Sequence, residues 1–185
     1  MDEEYVGLLE GRMLYLYEEY DFRHERRAQI KQQIIFLYRR LLKKGEPVPR
    51  PDNGFLNEFR IGRILGETGP LTDFPNKRTI LKYGGLNLRE RQSGYYIGKT
   101  RLSKKGRSTL RNAIGQAAFR LVKKNELFGP YYHRKKEEGM IGTKALAAVE
   151  RKLLQVFYVL GVRKEIFCPK RLHECESTMR KAVND

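Results

Sequence analysis

Ten positions between Leu9 and Leu41 narrow most sharply what this chain can fold into. Leu9, Met13, Leu16, Tyr20, Arg23, Arg27, Ile30, Ile34, Leu37 and Leu41 follow one another in alternating steps of four and three residues. That spacing holds one narrow stripe along a helix, and only the two arginines interrupt its apolar character. A stripe of this width, sustained over several heptads, is the seam of a coiled coil. The competing arrangement is a helix lying on the core of its own domain. The seam therefore predicts a coiled-coil dimerisation arm over residues 1–46 and a homodimer or higher assembly. Pro47, Pro49 and Pro51 follow within a few residues, and each removes a backbone donor and restricts the chain. Residues 47–54 read as a linker.

The remainder predicts a small helical domain over residues 55–162 and a basic tail over 163–185. A helix is expected from Leu56 to Glu67. Asn76 can cap another over Lys77 to Tyr83, with Gly84-Gly85 as its stop. Leu110, Ile114, Ala117, Leu121 and Val122 make one apolar face within Ser103–Asn125, where Ser103 stands at the expected cap. Phe128-Gly129-Pro130 is expected to break the chain before a short basic segment, Tyr131–Glu138. A last helix is expected from Thr143 to Leu160, closed by Gly161. Residues 87–102 carry no helical period and read as an irregular exposed loop or a small hairpin. The fold class is mainly α.

Charge points to the partner. The chain carries a net charge of +16, and between Arg89 and Lys136 fourteen basic residues face two acids, Glu90 and Glu126. A solvated face mixes its signs; this stretch does not, and phosphate binding is the better explanation. The candidate nucleic-acid contacts are Arg89, Arg91, Lys99, Arg101, Lys104, Lys105, Arg107 and Arg111. Tyr95 and Tyr96, between Gly94 and Gly98, are candidate stacking residues. No apolar run is long enough to cross a bilayer, and the acidic start, Met1 to Glu4, is unlike a secretion signal. Cys168 and Cys175, with His173 near them, lack paired metal-ligand spacing and read as free thiols of a cytoplasmic protein. No metal or other cofactor is expected in this chain.

A basic stretch that handles phosphodiesters invites a search for a nucleophile. Ser93 precedes Gly94, so little bulk hinders a phosphate, and four of the candidate cations are close in sequence. Ser103 and Ser108 have simpler explanations, as a helix cap and as a polar residue of a first helical turn. No base accompanies Ser93: His24, His133 and His173 are distant in sequence, and the acids form no evident metal cluster. On these residues alone Ser93 is a loop serine in a basic neighbourhood.

The ordered run of motifs adds to this. Asp73-Phe74-Pro75, Leu81-Lys82-Tyr83-Gly84-Gly85-Leu86, Arg91-Gln92-Ser93-Gly94, Leu102-Ser103-Lys104-Lys105-Gly106 and Leu110-Arg111 follow in that order, and Lys144 to Leu154 forms a later block. Over about residues 60–160 the chain resembles the C-terminal transposase domain of the bridge-RNA-guided insertion-sequence transposases, a family that includes the Piv-type DNA invertases. The heptad arm resembles the coiled coil that joins the two halves of those enzymes. The resemblance implies a RuvC-like domain, outside these 185 residues, with four acidic ligands for magnesium. It implies a serine nucleophile in a Ser-Gly motif, here Ser93-Gly94, and DNA and a guide RNA as partners in a prokaryotic, nucleoid-associated setting. The family carries a Gly-Ile-Gly hairpin where this chain has Phe55-Leu56-Asn57, which argues against a backbone-amide phosphate site there; Glu67-Thr68-Gly69 fits the turn that follows. Two functions result: the serine-nucleophile half of a guided recombinase, inactive on its own, or a non-catalytic basic dimerising module that grips DNA or RNA. A ribosome-associated basic protein would explain the charge but not the run of motifs.

Overall fold

The computed structural model describes residues 3–52, 54–89, 92–93, 96–97 and 101–168, with residues 3–6, 92–93 and 96–97 described by their backbone alone. The predicted mainly α fold is observed. Its first element, α1, is a single helix over Glu3–Lys43. From Leu8 to Phe22 its apolar side chains are exposed, on the seam (Leu9, Met13, Leu16, Tyr20) and off it (Leu14, Tyr17, Phe22).

The last turns of α1 behave differently. α2, Glu58–Thr68, begins at Asn57, whose side chain accepts a hydrogen bond from the Arg60 amide. It crosses α1 at Gly62, against Ile34 and Tyr38. Tyr38 is buried, and its hydroxyl donates to the Pro49 carbonyl at 2.7 Å. Leu41 and Leu42 also pack on the core, whereas Leu37 stays 54 % exposed. Ile34 and Leu41 of the seam are thus committed to their own domain, as the competing arrangement had it for this end of the arm. Val48 and Pro49 are buried, so the proline-rich segment is packed beneath the domain.

A turn through Gly69, the short 3-10 turn Leu71–Asp73 and Phe74 lead into α3, Lys77–Tyr83. Asn76 caps α3 as predicted, accepting from the Arg78 and Thr79 amides. Four two-residue strands follow. β1 (Leu88–Arg89) pairs antiparallel with β4 (Arg101–Leu102), and β2 (Gln92–Ser93) pairs antiparallel with β3 (Tyr96–Ile97). The small hairpin is therefore present. Three helices complete the domain: α4 (Ser108–Lys124), α5 (Phe128–Glu137) and α6 (Gly142–Arg163). α6 is the central element and packs on α3, α4 and α5. Its Val149, Leu153, Leu154 and Phe157 meet Ile80, Leu110 and Ile114 in a core from which water is excluded.

Three local expectations are corrected. α4 starts at Ser108, and Ser103 is not its cap: the Ser103 hydroxyl accepts from the Lys105 amide at 3.3 Å inside the preceding loop. Phe128-Gly129-Pro130 opens α5 and does not break the chain. The Asn125 side chain accepts from the Leu127 and Phe128 amides, and proline is tolerated in a first turn, where no intrahelical donor is needed. Gly161 lies inside α6, buried against Leu71 and Pro49, and the helix ends two residues later before Lys164 in the left-handed region. Beyond α6, Phe167 is buried and stacks on Phe55 with ring centroids 4.4 Å apart. Cys168 is exposed as a free thiol, and Cys175 and His173 lie outside the described residues.

Candidate nucleic-acid interface

The hairpin brings together two of the predicted cations. Arg89 and Arg101 are direct cross-strand partners at its base, and both are exposed. Directly opposed residues on one ladder are close neighbours, and like charges there repel. Two residues separate β1 from β2 and three separate β3 from β4, so the two ladders are out of register by one residue. At the far end Ser93 pairs with Tyr96. Arg91, Tyr95 and Lys99 lie outside the described residues, so their expected roles find no placement here.

The loop that follows β4 is clamped to the end of α3. Lys104 donates its amide to the Gly85 carbonyl and Arg107 its amide to the Tyr83 carbonyl, at 3.0 and 2.8 Å. Gly106 lies so near Gly85 and Tyr83 that a Cβ would collide with their backbone, and Gly85 itself has a φ of +66°. Both positions need glycine. Lys104 has a φ of 53°, a left-handed conformation that costs a residue with a side chain of the order of 1 kcal/mol. The clamp holds it there and presents Lys104 and Lys105 outward, both exposed.

Arg107 and Arg111, also predicted to meet phosphate, have partners within the fold. Arg111 Nη1 donates to the carbonyls of Gly84 and Lys104, at 3.1 and 3.3 Å, and so helps to build the clamp. Arg107 Nε donates to Glu67 Oε2 at 2.7 Å, and Thr109 Oγ1 donates to the same oxygen at 2.6 Å. These two bonds, Thr109 first, hold the Glu67 carboxyl below the usual carboxylate range. Glu67 belongs to the Glu67-Thr68-Gly69 turn, and its partners lie some forty residues away in sequence.

Sequence reasoning also missed two cations on α2. Arg63 Nη1 donates to Gln116 Oε1 of α4 at 2.6 Å. Arg60, one turn earlier, lies near Arg120 of α4. Both fall outside the charge-dense stretch, and no local pattern marked them. Glu150 of α6 sits over Gly115 of α4, and burial pushes its carboxyl up despite the positive charge of Arg111. Among the described residues, no group of three or more His, Cys, Asp or Glu side chains gathers to hold a metal, and no helix is long and apolar enough to cross a membrane.

A helical domain that presents a basic hairpin and a lysine loop from one end of its core is the class defined by this geometry. Residues 58–133, from the first residue of α2 into α5, match the model of the Transposase IS116/IS110/IS902 family. This part of the chain is therefore similar to the transposase domain of those insertion sequences, and the match takes in Glu67, the hairpin and the lysine loop. No curated protein matches the chain.

Proposed function

We propose that this chain is the DNA-binding and serine-nucleophile half of a guided DNA transposase or recombinase. It would act with a RuvC-like domain supplied in trans or by an N-terminal half. The observation that carries the reading is the opposition of Arg89 and Arg101 at the base of the hairpin that includes Ser93, within the segment matched by the transposase family. Directly opposed positions of a ladder put two like charges on one face, where they repel; a phosphate bound between such arginines would convert the repulsion into charge-assisted hydrogen bonds. Lys104 and Lys105 extend the same basic end.

In this reading Ser93 Oγ attacks the phosphorus of the scissile phosphodiester. Its proton passes to a base of the RuvC-like domain, the P–O bond to the leaving strand breaks, and that oxygen is protonated. The product is a serine–DNA phosphodiester, which the reverse step resolves on the new strand. Magnesium in the RuvC-like domain would supply charge stabilisation of the pentavalent phosphate. DNA is the substrate, a bridge-type guide RNA selects it by base pairing, Tyr95 and Tyr96 offer stacking surfaces, and the α1 arm joins copies of the chain near the nucleoid of a prokaryotic cell.

The test mixes this chain, the acidic half, magnesium, guide RNA and labelled target, and follows label that migrates with protein on a denaturing gel. Ser93→Ala is expected to retain binding and to lose the adduct. An adduct that survives the substitution removes Ser93 from the mechanism. Cleavage without any adduct removes the serine mechanism altogether, and leaves the non-catalytic binding module as the reading.

A further inference from the structure

α2 and α4 lie side by side and run in opposite directions. Glu67 meets Thr109 at one end, Arg63 meets Gln116 midway, and the Asn125 side chain donates to the Gly54 carbonyl at the other. Beside that last contact is an open groove of about 600 Å³, lined among others by Asn57, Arg60, Arg120 and Lys124. Two carboxylates also line it. Glu58 is occupied by Arg39, which grips both its oxygens at 2.7–3.1 Å. Asp52 accepts from the Gly54 amide. Three cations therefore share the groove with one carboxylate, Asp52, that has no ion-pair partner among the described residues. Neither Arg60 nor Arg120 is paired with a carboxylate among the described residues.

Fifteen residues of helix separate Thr109 from Lys124, roughly 22 Å at the rise of an α-helix. The groove thus lies at the opposite end of α4 from the lysine loop. Between them the seam carries Arg63, whose guanidinium is fixed by Gln116, and one acid, Glu67, neutralised by Arg107.

We propose that Arg60, Arg120 and Lys124 form a second phosphate-binding point, so that a nucleic-acid backbone lies along the α2–α4 seam from the lysine loop to this groove. The proposal rests on the nucleic-acid reading above and extends it to a place away from the serine. Its physical basis is that Arg60, Arg120 and Lys124 line one open groove, where neither arginine is paired with a carboxylate among the described residues. Burial, and after it the charge of Arg120, lowers the Arg60 pKa, so the free protein holds this pair against its own electrostatics. A phosphodiester oxygen in the groove relieves both effects and takes charge-assisted bonds from two forks. The track is long enough to pass several phosphates of one strand.

The experiment compares four forms of the whole chain: wild type, Arg60→Gln/Arg120→Gln, Arg120→Gln alone, and Lys104→Gln/Lys105→Gln. Binding to a duplex DNA and to a structured RNA is measured over a range of salt concentrations. Each lost phosphate contact on duplex DNA removes about 0.9 of log–log salt slope, or about eightfold in affinity at 0.1 M salt. The groove double variant is expected to flatten the slope by about two and to bind about 60-fold more weakly at that salt. Its thermal midpoint should stay the same or rise, because a repulsive pair is gone. Arg120 is an exposed helix residue, so the single variant folds and should show half the slope change. The nucleic acid whose slope changes identifies which backbone occupies the groove. If both nucleic acids bind the groove variants with unchanged slope while the Lys104/Lys105 variant weakens, the second point is wrong and the nucleic-acid reading stands. If wild type binds neither, both readings fall.

Discussion

Gly62 and Gly66 lie one turn apart on α2, and replacing each with alanine isolates the contact on which the arm is seated. Glycine in a helix is worse than alanine by about 1 kcal/mol, so each change brings a similar intrinsic gain. At Gly66 a new Cβ meets nothing within 4 Å, and the gain is kept. At Gly62 it would lie 2.7 Å from Ile34 Cγ2 and 3.3 Å from both the Ile34 carbonyl oxygen and Tyr38 Cβ. A β-branched side chain on a helix has one dominant rotamer, and a backbone carbonyl cannot yield alone. Hence α1 must move away as a unit. Overpacking of this kind costs about 1–3 kcal/mol. Gly66→Ala should therefore stabilise by about 1 kcal/mol, a rise of roughly 2–4 °C for a chain of this size. Gly62→Ala should range from neutral to destabilising by about 2 kcal/mol. The difference between the two variants, about 1–3 kcal/mol, is the packing cost alone, because the propensity gain cancels. Urea unfolding at equal m-value measures it. Equal stabilisation by both substitutions would refute the seating of α1 on α2, and with it the direction in which the arm leaves the domain.

Dimerisation through the arm is best tested at seam positions that the domain does not use: Met13→Glu with Leu16→Glu should give a monomer in sedimentation at micromolar concentration, while a monomeric wild type would rule the seam out. Glu67→Gln should lower stability at neutral pH by about 1 kcal/mol, since it weakens two hydrogen bonds to a charged acceptor in a partly exposed site. The Glu67 carboxyl is held low in the folded state, so this contribution is present above the ordinary carboxylate range and is lost as pH falls through the folded value; thermal melts of wild type and variant should converge in acid. Glu150→Gln should do the reverse. Its folded pKa is raised, so its ionisation weakens the fold as pH rises, and the variant should melt above wild type at neutral pH with an advantage that shrinks in acid. Tyr38→Phe leaves the Pro49 carbonyl without its buried donor and should cost about 1–3 kcal/mol by urea unfolding.

The features legible along the chain are those that short-range rules control. The Asn76 cap depends on an oxygen reaching amides two and three residues on. The inward faces of α4 and α6 follow from a 3.6-residue period. The hairpin at 87–102 was legible as a stretch with glycines and no such period. Tertiary structure decided the rest, because those outcomes depend on partners far along the chain. Arg107 reads like any other cation in a basic run, yet Glu67, forty residues before it, takes its guanidinium. Arg60 lies outside that run and reaches the basic surface only because α2 packs antiparallel to α4. Gly161 reads as a helix stop, but burial against Leu71 and Pro49 makes it the close contact that lets α6 continue. Ile34 fits the heptad as well as Met13 does. Only the glycine at position 62 gives it a place inside the domain, and a repeat of seven carries no information about a residue on another helix.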